Sequence, residues 1–139
     1  MTDFWGMRDA GKHRFEFAVA SYGSAFDESS VVEDAEAYNL VPICFEGRAK
    51  MPEMPRLESS CARISSVKIS EKGNALIVRL AETRGHGGYA VLHIPLGVEK
   101  ILKVNLLERN GEELELDATR SVCRKLRPWE IASIRCELD

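Results

Sequence analysis

The stretch that decides the fold reads Leu126-Arg-Pro-Trp-Glu-Ile-Ala-Ser-Ile-Arg-Cys-Glu-Leu138. Pro128 fixes its own backbone φ angle and ends whatever element precedes it. Beyond the proline, apolar residues occupy alternate positions: Ala132, Ile134, Cys136 and Leu138. An alternation of period two predicts a β-strand with one buried face and one wet face. A half-buried strand needs partner strands, so the rest of the chain is expected to supply them.

Strand-like segments recur upstream of this stretch, with turn residues between them. The predicted strands are residues 13–20, 62–70, 75–82, 89–95, 101–108, 112–117 and 121–126. Glu71-Lys-Gly-Asn74 has the composition of a tight hairpin connection, and Asn110-Gly111 is a second turn. Short strands at roughly ten-residue spacing are typical of a sandwich. We therefore predict a mainly β protein built as an antiparallel β-sandwich.

Residues 27–39 break this pattern. Asp27 or Ser29 could begin a helix, and Pro42 would prevent its continuation, so we predict one short helix here. A brief extended segment is predicted at residues 41–46. Residues 47–60 are predicted to be a loop because they are rich in proline and serine.

The size and charge of the chain limit its class. With 139 residues, of which 45% are hydrophobic, it is expected to form a single domain, residues 1–139. A net charge of −3 and scattered basic residues argue against nucleic-acid binding. No apolar run is long enough for a membrane span, and the N-terminus lacks a secretory signal. The protein is expected to be cytoplasmic, or a piece excised from a larger chain.

The four cysteines, Cys44, Cys61, Cys123 and Cys136, form no C-x-x-C pair, which argues against a zinc site on this chain. We interpret them as small buried hydrophobic residues with free thiols. A bridge between Cys123 and Cys136 is the alternative. The three histidines have no metal-ligand spacing, and His93 is expected at a surface or interface.

The loop Thr83-Arg-Gly-His-Gly-Gly88 has the most functional character, because glycines let a backbone approach a ligand closely. It lacks the phosphate-loop pattern. One interpretation is a flexible hairpin tip. The other is a loop that reaches another domain or a sugar, with Arg84, Gly85 and His86 as candidate residues.

Three carboxylates stand at predicted strand ends: Glu82, Glu108 and Glu130. Paired carboxylates occur in glycosidases, but hydrogen bonding to turns and edges is the simpler interpretation. Most aromatic residues have core-facing spacing. Trp5 and Trp129 lie outside the alternating patterns and could instead contribute to a sugar-stacking platform.

Five segments, in this order, resemble one known family. They are Asp9-x-Gly-x-His-Arg-Phe-Glu-Phe-Ala-Val, Ala35-Glu-Ala-Tyr-Asn-Leu, Leu76-Ile-Val-Arg-Leu-Ala-Glu-Thr-Arg-Gly85, Asn105-Leu-Leu-Glu108 and Leu126-Arg-Pro-Trp-Glu-Ile131. Together they are similar to the C-terminal β domain of the α-mannosidases of glycoside hydrolase family 38. The family pattern runs roughly G-x-H-x-F-x-Y-A-L, A-x-E-x-N-x-P-L, V-x-R-x-x-E-x-x-G, D-L-L-E and L-x-P-F-E-I-x-T. Trp129 stands where the family has Phe, Asn105 where it has Asp, and Leu40-Val41-Pro42 departs from N-x-P-L.

The resemblance implies a galactose-mutarotase-like sandwich of the glycosyl hydrolase C-terminal type. Members are large retaining enzymes whose zinc site and aspartate nucleophile lie in an N-terminal barrel. No motif of this chain corresponds to those groups, so no catalytic or metal residue is assigned. The chain is expected to be a non-catalytic C-terminal fragment, inactive alone, that packs on its own catalytic domain. Arg84, Gly85 and His86 are the candidate residues at the rim of the substrate cleft.

The resemblance also implies mannose-containing glycans as partners and roles within the last motif. Pro128 is expected to set the turn, Trp129 and Ile131 to pack, and Glu130 to hold nearby backbone. Cut free, the domain is expected to expose an apolar patch and to self-associate as a homo-oligomer. The alternatives are a free-standing carbohydrate-binding β-sandwich and a purely structural interaction domain.

Overall fold

The computed structural model describes residues 11–40, 42–48, 52–71 and 73–138. Its elements in chain order are α1 (Val31–Asn39), β1 (Arg56–Glu58), β2 (Ala62–Ile69), β3 (Ala75–Glu82), β4 (Gly88–His93), β5 (Val98–Val104), β6 (Glu112–Leu114), β7 (Ser121–Leu126) and β8 (Ile131–Leu138). The strands form two antiparallel sheets, ordered β1-β4-β7 and β2-β3-β8-β5-β6. The prediction of a mainly β, antiparallel sandwich with one short helix is confirmed.

The last strand lies at the centre of the larger sheet, between β3 and β5. Across the β3–β8 ladder, Val78 pairs with Ile134 and Leu80 with Ala132. Val78, Leu80 and Ile134 have no exposed surface, and they pack in one cluster with Leu92 of the smaller sheet. The alternation in residues 132–136 therefore does point into the core. Leu138, expected to be buried, is 46% exposed because it lies at the end of the strand.

The turn between β2 and β3 lies where glycine and asparagine indicated it, whereas the turn after β5 begins earlier than predicted. Between β2 and β3 the amide of Ser70 donates to Ala75 O (2.8 Å), and Gly73 has a φ of 79°. After β5 the chain turns at Asn105, whose side-chain oxygen accepts from the amides of Leu107 (3.0 Å) and Arg109 (2.9 Å). This turn ends β5 at Val104, so the prediction of a strand reaching residue 108 was wrong.

The predicted strand over residues 13–20 is not formed. Phe15, Phe17 and Val19 are 83%, 84% and 91% exposed, and none of the described strands pairs with this segment. The reason is that alternation records which side chains could share a face, whereas a strand also needs a neighbouring edge to accept its hydrogen bonds. In residues 11–40 and 42–48, Ser29 is the only buried side chain.

Other predictions also differ from the structure: β6 ends at Leu114 rather than at residue 117. The helix begins at Val31 rather than near residue 27, because residues 26–29 form a turn in which Ser29 Oγ donates to Phe26 O (2.9 Å). Residues 42–46 form no strand, and Val41 lies outside the described residues. The predicted loop 47–60 contains the short strand β1, which pairs with β4.

No helix within the described residues has the length and apolar character needed to cross a bilayer. The prediction of a single domain over residues 1–139 stays a prediction.

Candidate functional site

The loop of residues 83–88 joins β3 to β4, and it lies beside the turn of residues 127–130 that joins β7 to β8. The carboxylate of Glu82, only 3% exposed, fastens the two together. It accepts the amides of Arg84 (3.0 Å), Gly85 (2.9 Å) and, from the other turn, Trp129 (2.7 Å). Each amide would otherwise lack an acceptor at a place where the chain leaves its ladder.

These amides also decide the charge of Glu82. Burial by itself raises the pKa of a carboxylate, because it penalises the charged form. Here the backbone donors, led by Trp129 and then Gly85 and Arg84, outweigh burial and hold the pKa of Glu82 below its ordinary value. Glu82 is therefore a fixed anion at neutral pH.

Glu130 mirrors this arrangement in the neighbouring turn. Its carboxylate accepts the amide of Arg127 (2.9 Å) and the guanidinium of Arg124 (2.8 Å), while its carbonyl accepts the amide of Glu82 (2.9 Å). Burial raises the pKa of Glu130, but the Arg127 amide and Arg124 lower it overall. The expectation that Glu130 holds nearby backbone is confirmed.

Glu108 completes the set of three carboxylates. It pairs with Lys68 and accepts the amide of Glu71 (3.1 Å), and its pKa is lowered mainly by the hydrogen bond from Lys68. Turn and edge hydrogen bonding is thus the role of all three. A glycosidase acid instead needs a raised pKa so that it still carries its proton at working pH.

Arg84 is engaged within the chain. Its guanidinium donates to the carbonyls of Ser29 (2.5 Å) and Phe26 (3.3 Å) and pairs with Glu33 (2.6 Å). The side chain is only 11% exposed. Arg84 therefore fastens the segment that leads into α1 onto the sandwich, and Arg63 of β2 supports it through an ion pair with Glu36 of α1.

Gly85 lies directly beneath an indole. A Cβ built on Gly85 would stand 2.5 Å from Cζ2 of Trp129, and the glycine has a φ of 82° that other residues rarely adopt. The sequence suggested close approach of this loop to a ligand; within the chain, the neighbour of Gly85 is Trp129.

Trp129 itself has a φ of 60°, which is an outlier for a bulky residue. Its side chain is 62% exposed, with the ring of Phe26 at a centroid distance of 6.2 Å. Ile131 is 56% exposed. Trp129 and Ile131 were expected to pack; Ile131 is instead more than half exposed, and Trp129 contacts Gly85 and Phe26. The sequence signal for the exposure of Trp129 was its position next to Pro128, outside the alternating patterns.

His86 and His93 contact different parts of the chain. His86 is exposed, and its Nδ1 contacts Gly87 O at 2.6 Å. His93 contacts Ser121 Oγ through Nδ1 (2.7 Å) and Glu58 through Nε2 (3.1 Å), so it joins β4 to β7 and β1. In the part of the chain that the structure describes, no group of three or more His, Cys, Asp or Glu could hold a metal ion.

The cysteines are free thiols, so the alternative of a Cys123–Cys136 bridge was wrong. Cys61 and Cys136 are buried as expected, and burial raises the pKa of Cys136 to about 11. Cys44 and Cys123 are exposed, which corrects the expectation that every cysteine is buried.

Replacing Gly85 with alanine is expected to lower the free energy of unfolding by about 1.5 kcal/mol, because the positive φ disfavours a Cβ. Displacement of the Trp129 ring adds to this cost. In a Trp129→Ala background the ring is gone, so the same substitution should cost less. Urea denaturation of the single and double variants measures the coupling. Strict additivity would show that ring and glycine do not meet in solution.

Comparison with known proteins agrees with the fold and its motifs. The human protein "Alpha-mannosidase 2C1" is 25% identical over 108 residues, which cover 73% of this chain. The chain spans 10% of the length of that curated relative. No solved structure matches the chain. The family described as the glycosyl hydrolases family 38 C-terminal beta sandwich domain matches residues 62–134, which is just over half of the chain and runs from β2 into β8. The chain belongs to that family of C-terminal β-sandwich domains.

Proposed function

We propose that this chain is the non-catalytic C-terminal β-sandwich of an enzyme that hydrolyses terminal α-mannosides. The observation that carries the proposal is the family match over residues 62–134, together with a relative named as an α-mannosidase of which the matched stretch covers only 10%. The carboxylates of the sandwich support a non-catalytic role. Glu82 and Glu130 are each occupied by backbone amides and held ionised.

The enzyme is proposed to be a retaining, zinc-dependent hydrolase whose metal and nucleophile lie in a separate catalytic barrel, and to act in the cytoplasm. Exposed apolar side chains support packing against that barrel. Phe15, Phe17 and Val19 alternate along a segment that forms no strand, and each is more than 80% exposed. An apolar stripe of this kind is typical of a surface that another part of a protein covers.

Assaying this chain alone and within the longer enzyme tests the proposal. With zinc or cobalt added, the 139-residue chain should not hydrolyse a chromogenic α-mannoside, whereas the longer enzyme should. Hydrolysis by the isolated chain would place the chemistry here and contradict the proposal. Lack of α-mannosidase activity in every protein that contains the chain would favour the alternative of a free-standing carbohydrate-binding or structural module.

The loop of residues 83–88 is proposed to border the substrate cleft, with Arg84, Gly85 and His86 at its rim. Exposure of His86 supports this proposal. Arg84 would act by holding the loop in place, because its guanidinium donates to the carbonyls of Ser29 and Phe26 and to the carboxylate of Glu33.

Replacing Arg84 with alanine in the longer enzyme is expected to lower kcat/KM for α-mannosides by roughly tenfold, mostly through a higher KM, because a displaced rim weakens substrate positioning. Arg127→Ala is the matched control, since that arginine lies in the neighbouring turn and is 86% exposed. Steady-state kinetics of both variants supplies the comparison. An unchanged kcat/KM for Arg84→Ala would remove the loop from the rim.

A further inference from the structure

The feature with no structural explanation is the exposed ring of Trp129. A residue that served only the core would not be 62% exposed. The residue is nevertheless held at two points: the carboxylate of Glu82 accepts its backbone amide at 2.7 Å, and the backbone of Gly85 lies beneath its ring. The backbone at φ 60° adds strain, which folded proteins tend to keep at sites that bind something.

Phe26 extends this aromatic surface and marks its border with a groove. The ring of Phe26 is 6.2 Å from that of Trp129 and tilted by 40°. Phe26 also lines one end of a groove of about 470 Å³ between α1 and β2. That volume lies in the range of small-ligand pockets. Most residues that line the groove are apolar, and its polar side chains are Glu36, Asn39 and Arg63. Glu36 and Arg63 pair with each other, and the Asn39 amide donates to Ala35 O (2.7 Å).

This combination fits a sugar. A pyranose ring carries C–H bonds on its faces and hydroxyl groups around its edge. The C–H bonds suit the electron-rich face of an indole. The hydroxyl groups suit side chains that carry further donors and acceptors beyond these contacts, as Glu36, Asn39 and Arg63 do.

A protein partner fits less well. The centre of a protein–protein interface is depleted in charged residues. Trp129 instead lies among charges: Arg84 and Glu33 meet beside Phe26, and Arg127 is 86% exposed in the same turn. The ring is also fixed in place, which reduces the entropy lost when a small ligand binds.

We infer that Trp129 is a stacking platform for a mannopyranose ring, with hydroxyl contacts supplied from the groove that Phe26 borders. The inference rests on the proposed function for the identity of the sugar. It assigns direct sugar contact to Trp129, and it leaves Arg84 and Gly85 as the residues that position the indole and its neighbour Phe26.

The test is saturation-transfer NMR on the 139-residue chain with methyl α-D-mannopyranoside. We expect saturable transfer to the C–H protons of the sugar, with a dissociation constant of about 10 mM, as suits a single stacked ring. D-Mannitol, an open chain with similar hydroxyl groups but no ring face, should give no saturable signal. A folded chain that transfers no saturation to the mannoside, or transfers equally to mannitol, would overturn the inference.

Three variants distinguish stacking on Trp129 from nonspecific binding to exposed aromatic residues. Trp129→Ala should weaken binding by about tenfold or more, and Trp129→Phe, which keeps an aromatic face, by only about threefold. Tyr89→Ala is the matched control, since Tyr89 is 65% exposed on β4, with Lys125 Nζ 5.9 Å from its ring centroid. Binding should be unchanged in that variant. Equal loss in Trp129→Ala and Tyr89→Ala would contradict a specific platform.

A measurement on the unaltered chain covers the case in which Trp129→Ala does not fold. Intermolecular nuclear Overhauser contacts should join the indole protons of Trp129, assigned through Trp129→Phe, to C–H protons on one sugar face. Their absence in the saturated complex would also overturn the inference. Failure here, with α-mannosidase activity present in the longer enzyme, would reject the platform and leave the proposed function standing. Sugar binding without that activity would do the reverse.

Discussion

Replacing Glu82 with glutamine is expected to lower the free energy of unfolding by about 3 kcal/mol, because buried hydrogen bonds to a charged acceptor are lost and one amide faces another donor. The two carboxylate oxygens serve the amides of Arg84, Gly85 and Trp129. A glutamine side chain keeps one oxygen and places an NH₂ group where the other stood. Urea denaturation at neutral pH measures the loss.

The same variant should change the acid limb of the stability profile. The folded-state pKa of Glu82 lies below its ordinary value of 4.5, since backbone amides stabilise the anion against the effect of burial. Its contribution is therefore present above pH 4.5 and is lost as the pH falls through the lower, folded-state pKa. Glu82→Gln removes that contribution at neutral pH, so the two profiles should converge on acidification.

Glu112→Gln is the matched control for both measurements. Glu112 lies on β6 with its side chain 69% exposed, paired to Lys103 at 3.2 Å. An exposed pair of this kind contributes at most about 1 kcal/mol. Two outcomes would show that Glu82 does not stabilise the contact between the two turns. One is a similar loss of stability in both glutamine variants. The other is a stability–pH profile of Glu82→Gln that stays parallel to that of the unaltered chain down to low pH.

Replacing Ile134 with alanine is expected to lower the free energy of unfolding by about 4 kcal/mol, within the range for large-to-small core substitutions. Ile134 is fully buried at the centre of β8, opposite Val78 on the adjacent strand. Removing its side-chain carbons leaves a cavity between the sheets that the surrounding strands cannot close without breaking their ladders. Thermal or urea denaturation provides the measurement.

Ile131 supplies a control of the same residue type on the same strand. It is 56% exposed, so Ile131→Ala should change stability by only about 0.5 kcal/mol. Ile134→Val should fall between the two, at about 1 kcal/mol. Comparable losses at positions 131 and 134 would mean that β8 does not point its alternate residues into the core as the structure shows.

Much of the fold was predictable because its signals are local. Alternation in residues 132–136 and 75–82, with turn residues between strands, indicated β8, β3 and the sandwich. The same signal misled at residues 13–20, where Phe15 and Phe17 alternate but the segment has no neighbouring strand in the described structure. Pattern reports what a segment could bury, and pairing depends on what lies beside it.

The candidate site was only partly predictable for the same reason. Glu82 and Glu130 were recognised as residues that hydrogen-bond turns, whereas the glycines of residues 85–88 indicated close approach to a ligand and not to Trp129. No pattern in the sequence around Arg84 indicated that its guanidinium would donate to the carbonyls of Ser29 and Phe26, because those residues are distant in the sequence.

By itself, then, the sequence determined most strands of the sandwich, the short helix and the family, because periodicity, turn residues and ordered motifs are properties of neighbouring residues. Only the tertiary structure decided that the turns at residues 83–88 and 127–130 meet, that Glu82 joins them, and that the meeting leaves Trp129 exposed above Gly85. The physical reason is that the amide of Trp129 bonds to Glu82, and its ring contacts Gly85, across two turns that lie together only once the sheets have packed.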